Sequence, residues 1–176
     1  MQQPVEGVWL VVMGVSGCGK SSLGQAVASE LRLPLIEGDD FHPEANIRKM
    51  QSGTPLTDAD REGWLARLGQ ELAAHRTGAV LTCSALKRAY RDRLRSAVPA
   101  LRFVFMQIDR DEALARVQAR SAVHIFPASL VDSQFQTLES PEGEPGVLTL
   151  PATAPLSESA AQVRRWVAGA PPCRAV

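Results

Sequence analysis

Met13-Gly14-Val15-Ser16-Gly17-Cys18-Gly19-Lys20-Ser21-Ser22 places Gly14, Gly19, Lys20 and Ser21 in the pattern G-x-x-x-x-G-K-[ST]. The apolar run Val8-Trp9-Leu10-Val11-Val12-Met13 precedes it, and a helix-like run from Ser21 to Leu31 follows. Strand, glycine-rich turn and helix in that order are the setting in which the pattern cradles phosphate. The glycines let successive N–H groups converge on one anion, and the start of the helix adds partial positive charge. Gly14, Val15, Ser16, Gly17, Cys18, Gly19, Lys20, Ser21 and Ser22 are therefore the candidate nucleotide site. Lys20 supplies a point charge to the β- and γ-phosphates of a nucleoside triphosphate, and Ser21 a hydroxyl to Mg²⁺.

The bulk properties narrow the class. A chain of 176 residues is expected to form one domain with a full core. A formal net charge of zero carries no basic footprint for nucleic acid or an anionic membrane. No apolar run approaches the roughly 18 residues of a membrane span, and Met1–Glu6 has no basic segment of a secretory signal. Cys18, Cys83 and Cys173 are odd in number and lack metal-ligand spacing, which predicts reduced thiols and a cytoplasmic location. Of 19 basic residues only Lys20, Lys49 and Lys87 are lysines. In a chain that otherwise uses arginine, a retained lysine marks a place for a compact three-donor ammonium.

Apolar runs alternate with helical patterns. Leu33–Ile36, Ala79–Cys83, Leu101–Ile108 and Val147–Leu150 read as four further strands. Glu44–Gln51, a helix opened by Thr57 with Leu65, Leu68 and Leu72 on one face, Lys87–Ser96, Asp111–Arg120 and Ser157–Ala168 read as helices. Continuous apolar strands separated by helices predict a five-stranded parallel sheet covered on both faces, an α/β fold with the ligand crevice at the strand C-terminal ends. Ser140–Gly146 reads as a surface loop and 169–176 as a frayed tail.

Three strand ends meet on that rim. The first carries the phosphate loop, the second Glu37, Asp39 and Asp40, and the third Thr82-Cys83-Ser84-Ala85-Leu86-Lys87. A motor-type ATPase needs an acidic residue at the end of the strand beside the loop, where this chain has Thr-Cys-Ser. A GTPase needs N-K-x-D, but the single asparagine, Asn46, is followed by Ile47. A compact kinase remains. Asp39 is placed to orient or deprotonate an acceptor hydroxyl, and Glu37 to hold Mg²⁺ through water. Arg116 and Arg120, one helical turn apart, open a segment through His124, Phe126 and Pro127 that reads as a lid over about 116–128, with both arginines available to the triphosphate. The electropositive loop predicts a lowered thiol pKa and maleimide reactivity at Cys18. The alternative is a shielded side chain packed against the first strand.

At this point the motifs carry a resemblance. Gly38-Asp39-Asp40-Phe41-His42-Pro43, Asn46 with Lys49-Met50, Gly53-x-Pro55-Leu56-x-Asp58-x-Asp60-Arg61-x-x-Trp64-Leu65, Cys83-Ser84-Ala85-Leu86-Lys87-x-x-Tyr90-Arg91-Asp92 and Ser133-Gln134-Phe135-x-Thr137-Leu138-Glu139, with the phosphate loop, resemble the P-loop gluconokinases from about Val8 to Glu139. The resemblance implies a three-layer P-loop nucleoside-triphosphate hydrolase fold of the shikimate-kinase kind over residues 1–176. It also implies ATP- and Mg²⁺-dependent phosphorylation of D-gluconate at its 6-hydroxyl, and a homodimer. For the anionic polyol, Lys49, Arg61, Lys87 and Arg91 are candidate carboxylate partners. The bidentate fork of arginine favours Arg61 or Arg91, while Lys87 and Arg120 can instead serve the transferring phosphoryl group. Ser84 and His42 can bind hydroxyls. Two positions depart from the family: the lid reads Arg120-Ser121-Ala122-Val123-His124 where Arg-x-Gly-His is usual, and Cys18 stands where a serine or other small residue is usual. A kinase of the same fold for another small hydroxy acid, such as shikimate, and a nucleotide-binding regulator without turnover are the rival readings. ADP release across a panel of acids separates them.

Overall fold

The computed structural model describes residues 7–120 and 127–169. Five strands form one parallel sheet: β1 (Val8–Met13), β2 (Leu35–Glu37), β3 (Gly78–Thr82), β4 (Arg102–Gln107) and β5 (Val147–Pro151), in the spatial order β2-β3-β1-β4-β5. Seven α-helices are described: α1 (Lys20–Leu31), α2 (Glu44–Gln51), α3 (Asp58–Ala74), α4 (Arg88–Ala97), α5 (Arg110–Ala119), α6 (Leu130–Thr137) and α7 (Leu156–Gly169). The five-stranded parallel sheet and its helices match the architecture expected from the alternation of runs. The strand and helix limits move by one or two residues. A single 3₁₀ turn, Gly38–Phe41, follows β2, and α6 had no clear periodic signal in the sequence.

Both faces of the sheet are buried, and alternate β1 residues serve them. Leu10 and Val12 pack with Leu23 and Val27 of α1 and Ala160 and Val163 of α7. Val11 and Met13 pack with Trp64, Leu65, Leu68 and Leu72 of α3 and Tyr90 and Leu94 of α4. A strand with no polar face reads as an unbroken apolar run because both pleat directions enter a core. Burying each such side chain contributes about 1.5–3 kcal/mol.

Local chemistry fixes where the helices start. Gly19 enters α1 with φ 92°, a left-handed conformation that disfavours side-chain-bearing residues. Thr57 caps α3 in a reciprocal box: its hydroxyl accepts from Asp60 N–H, and the Asp60 carboxylate accepts from Thr57 N–H at 2.9 Å. Asp109 caps α5 by accepting from Glu112 N–H. At Gly38 a Cβ would stand 2.3 Å from the Thr82 carbonyl, so only glycine lets the chain after β2 cross the end of β3 this closely.

The Ser140–Gly146 loop is not free on the surface. Glu144, 7% exposed at its side chain, receives both the Nε and Nη2 donors of the fully buried Arg91 and a further bond from Arg95. Arg91 also donates to the carbonyls of Ala85, Leu86 and Glu139 at 2.8, 3.1 and 3.0 Å. One cation thereby ties α4, the segment after β3, the end of α6 and the 140–146 loop together. Removing the anion leaves a buried charge uncompensated, which costs about 3–5 kcal/mol. Glu144→Ala is therefore expected to lower unfolding free energy by about 3 kcal/mol in urea titration at unchanged slope. A loss below about 1 kcal/mol would mean that the pair is screened by water.

Candidate active site

The parallel sheet delivers the ends of β1, β2 and β3 to one rim, and register makes them neighbours. Glu37 pairs with Thr82 across β2 and β3, and Val12 with Thr82 across β1 and β3. A cavity of about 700 Å³ opens there. It is lined by Ser16, Gly17, Gly19, Lys20, Ser21 and Ser22 of the phosphate loop and the start of α1, and by Asp39, Asp40, His42, Arg61 and Ser84. Arg120, Ser133 and Gln134 also line it, and Ile47, Met50, Leu56, Trp64 and Leu130 supply apolar lining. The phosphate loop and the predicted acceptor carboxylate thus share one space.

Ser21 Oγ lies 3.2 Å from Glu37 Oε2, which also accepts a short hydrogen bond from Thr82 Oγ1. The two residues expected at the metal are together, and Thr82 is the third oxygen that spacing alone did not single out. Among the described residues no cluster of three or more His, Cys, Asp or Glu could hold a metal ion by itself. Hard oxygens from one hydroxyl and one carboxylate fit Mg²⁺, which keeps several waters and takes the rest of its shell from phosphate.

Asp39 is exposed on the cavity wall, with Oδ1 3.8 Å from His42 Nε2. His42 stacks on Trp64 at 4.1 Å between ring centres, and Trp64 Nε1 donates to the Gly38 carbonyl at 2.8 Å. Asn46, buried to 3% exposure, donates Nδ2 to the Asp60 carbonyl at 2.9 Å and stands 3.5 Å from His42 Nδ1. An amide nitrogen only donates, so Nδ1 is assigned as the acceptor and the ring proton to Nε2, on the Asp39 side. Burial pushes the His42 pKa down, which favours the neutral ring.

The candidate cations divide. Arg61 lines the cavity; its Nη1 donates to the Leu56 carbonyl at 2.6 Å and to Tyr90 Oη at 3.3 Å, and its guanidinium lies over the Tyr90 ring. Arg120, at the end of α5, also lines it. Lys49 turns to Asp60 at 2.8 Å, and Lys87 to both oxygens of Asp58 at 3.0 and 3.1 Å, so neither forms part of the wall. Hydrogen bonds from Tyr90 and Lys87 hold the Asp58 carboxyl below its ordinary range. Arg116 is drawn to Glu112 and to the carbonyls of Gly17 and Ala152. Arg91 corrects the sequence expectation outright: with no exposed surface and its donors given to Glu144 and three carbonyls, it shapes the site from behind. His124, Phe126 and Cys173 lie outside the described residues.

A model described as an AAA domain matches residues 9–141. A gluconokinase of Gluconobacter oxydans is 47% identical over 145 residues, covering 80% of each chain. This chain belongs to the gluconokinase family. A crystal structure of a gluconokinase from Sinorhizobium meliloti superposes with a TM-score of 0.80 at 42% identity, over 96% of this chain and 100% of that one. A shikimate kinase from Bacteroides thetaiotaomicron, 18% identical with a TM-score of 0.62 over 92% of this chain and 98% of that one, shares the fold. Family members are ATP-dependent kinases, and the P-loop here is that of an ATP-using enzyme.

The thiol at position 18 enters the core. Cys18 is fully buried among Leu10, Val12 and Leu23, and its N–H donates to the Val15 carbonyl. The shielded alternative therefore holds and the expectation of a reactive Cys18 does not. Burial pushes the Cys83 thiol up to about 12. Native protein treated with maleimide near neutral pH should show no label on the Cys18 and Cys83 peptides by mass spectrometry, and full label after denaturation. Labelling of Cys18 in the native protein, relieved by ATP, would restore the electrostatic reading of the loop.

Proposed function

We propose that this chain is a gluconokinase that transfers the γ-phosphoryl group of ATP to the 6-hydroxyl of D-gluconate, giving ADP and 6-phospho-D-gluconate. The observation that carries the reading is the single cavity in which the phosphate loop faces Asp39, His42, Arg61 and Ser84. The bond from the terminal phosphorus to the bridging oxygen breaks as the bond to O6 forms, and the O6 proton passes to Asp39. Lys20 and Arg120 balance charge on the transferring group, and the loop amides hold the remaining phosphates. Mg²⁺, held by Ser21 and through water by Glu37, would neutralise β- and γ-phosphate charge.

Arg61 is the proposed carboxylate partner. It is in the wall, its fork suits a carboxylate, and the partners it holds are neutral oxygens and an aromatic face. His42, with its proton on Nε2, and Ser84 serve hydroxyls. Lys87 stands beside Tyr90 at the start of α4 and reaches the substrate by exchanging Asp58 for it. A cytoplasmic homodimer completes the proposal. Buried, unpaired thiols at Cys18 and Cys83 support a reducing compartment, and among the described residues no helix is long and apolar enough to cross a membrane. Sedimentation of the purified protein tests the dimer.

D-gluconate should support ADP release in a coupled assay and neutral D-glucose should not, because an unpaired desolvated cation costs about 1–3 kcal/mol or more. Comparable turnover on glucose would sink the assignment, and selective turnover on shikimate would move it to the sister reaction. Asp39→Asn keeps volume and removes the proton acceptor. Its turnover should fall on the order of 10²–10⁴-fold with ATP affinity little changed. Near-normal turnover would transfer the role to Asp40 or dispense with a base.

A further inference from the structure

We propose that Gln134 donates its side-chain amide to the phosphoryl group in flight, a role that rests on the kinase reading above. The placement begins with packing. Val131 is buried against Val15 of the phosphate loop, with Leu86, Ala113 and Val117, and Phe135 and Leu138 lie against the same cluster. At the far end of α6, Glu139 N–H donates to the Leu86 carbonyl at 2.8 Å, and the Glu139 carboxylate accepts from Arg88 N–H at 2.8 Å. The helix is held along its inner face and beyond its end. That sets its rotation and brings Gln134 to the cavity wall beside Ser16.

Ser16 N–H donates to Gln134 Oε1 at 2.6 Å, a contact between residues 118 positions apart. A backbone N–H needs an oxygen opposite it, so the amide can be oriented only one way. Oε1 sits on the loop, and the two N–H groups of Nε2 point away from it. Among the described residues no protein group takes those donors. Ser16 and Gln134 line the same cavity as Asp39 and Ser84, the space in which the kinase reading puts the transferring group. A donor already fixed by a hydrogen bond needs no reorganisation as charge moves across the phosphoryl oxygens, the condition under which such donors accelerate transfer. Gln134 is tied to the phosphate loop itself through Ser16, whereas the kinase reading gives the substrate carboxylate to Arg61, so the anion assigned to Gln134 is the phosphoryl group.

Two near-isosteric variants separate a donor from a brace. Gln134→Glu keeps an acceptor for Ser16 N–H and loses the donors. Gln134→Met loses both and adds no charge. Turnover with saturating ATP and D-gluconate should fall about 10²-fold in each, while binding of a non-hydrolysable ATP analogue, read by fluorescence, should weaken by no more than a few-fold. A Glu variant within threefold of wild type would leave only a brace for the loop. A Met variant near wild type beside an impaired Glu variant would reduce the effect to charge repulsion. Loss of analogue binding in the Met variant with kcat preserved would also reduce Gln134 to a brace. Each of these three results overturns the proposal. Thermal melting checks folding, and Gln134→Ala replaces the Met variant if that one does not fold. Wild-type protein that releases no ADP with gluconate would reject the kinase reading itself, an outcome separate from unchanged variants of an active enzyme.

Discussion

β1 is paired on both edges, by β3 and β4, and covered on both faces, so nothing polar can be tolerated along its buried length. That constraint organises the rest. Chemistry can begin only where the strand ends, at Gly14. β3 beside it and β2 beyond β3 run the same way and end at Thr82 and Glu37, with Thr82 opposite both Val12 and Glu37. Phosphate amides, the Ser21–Glu37–Thr82 oxygens and Asp39 become neighbours because three strands run the same way, although they are separated by tens of residues in sequence. An antiparallel neighbour would carry its C-terminal end to the opposite edge.

A second constraint works from beneath the rim. Arg91 has no exposed surface, and a buried guanidinium must find acceptors for its donors. It finds two of them in the Ala85 and Leu86 carbonyls, within the segment that carries Ser84. Ala85 is held there at φ 45°, a left-handed conformation that costs a residue with a Cβ on the order of 1 kcal/mol. The bonds from Arg91 and the burial of Leu86 over-determine that turn. Strain next to Ser84 is thus supported by a charge that never meets substrate.

These two constraints explain what was legible in the sequence. The buried strands announced themselves as apolar runs, and Thr57 announced a helix start through chemistry local to a few residues. The phosphate loop was readable because its spacing is its function, and the acidic residues after β2 because they stand at a strand end, where they do line the cavity. The cations were not. Lys49, Lys87, Arg61, Arg91 and Arg116 share a type, and what distinguishes them is which oxygen each one meets after folding. Arg91 stood level with Arg61 as a carboxylate fork, but Glu144, far along the chain in a Gly- and Pro-rich stretch, claims it. Cys18 looked electropositive from its neighbours in sequence, but its side chain turns inward toward Leu10 and Val12. α6 was missed because its eight residues show no clear period and its start, at Ser129, carries no side-chain cap.

The partners of the remaining cations rank their availability to an incoming anion. Among the described residues Lys20 is held only by the neutral Val15 carbonyl at 3.3 Å, so a phosphate can replace that oxygen without stranding a charge. Lys87 is held by Asp58, but Asp58 also receives the Tyr90 hydroxyl and sits in the first turn of α3, where the helix start favours an anion. Releasing Lys87 therefore leaves a carboxylate that remains well accommodated. Lys49 is held by Asp60, whose same Oδ2 closes the Thr57 capping box, so drawing Lys49 away removes its ion partner from the atom that closes the cap. The order Lys20, then Lys87, then Lys49 follows from the partners alone. Under the proposed function, that order casts Lys20 as the resident phosphate cation and Lys87 as the one exchanged toward the transferring group, while Lys49 joins α2 to α3.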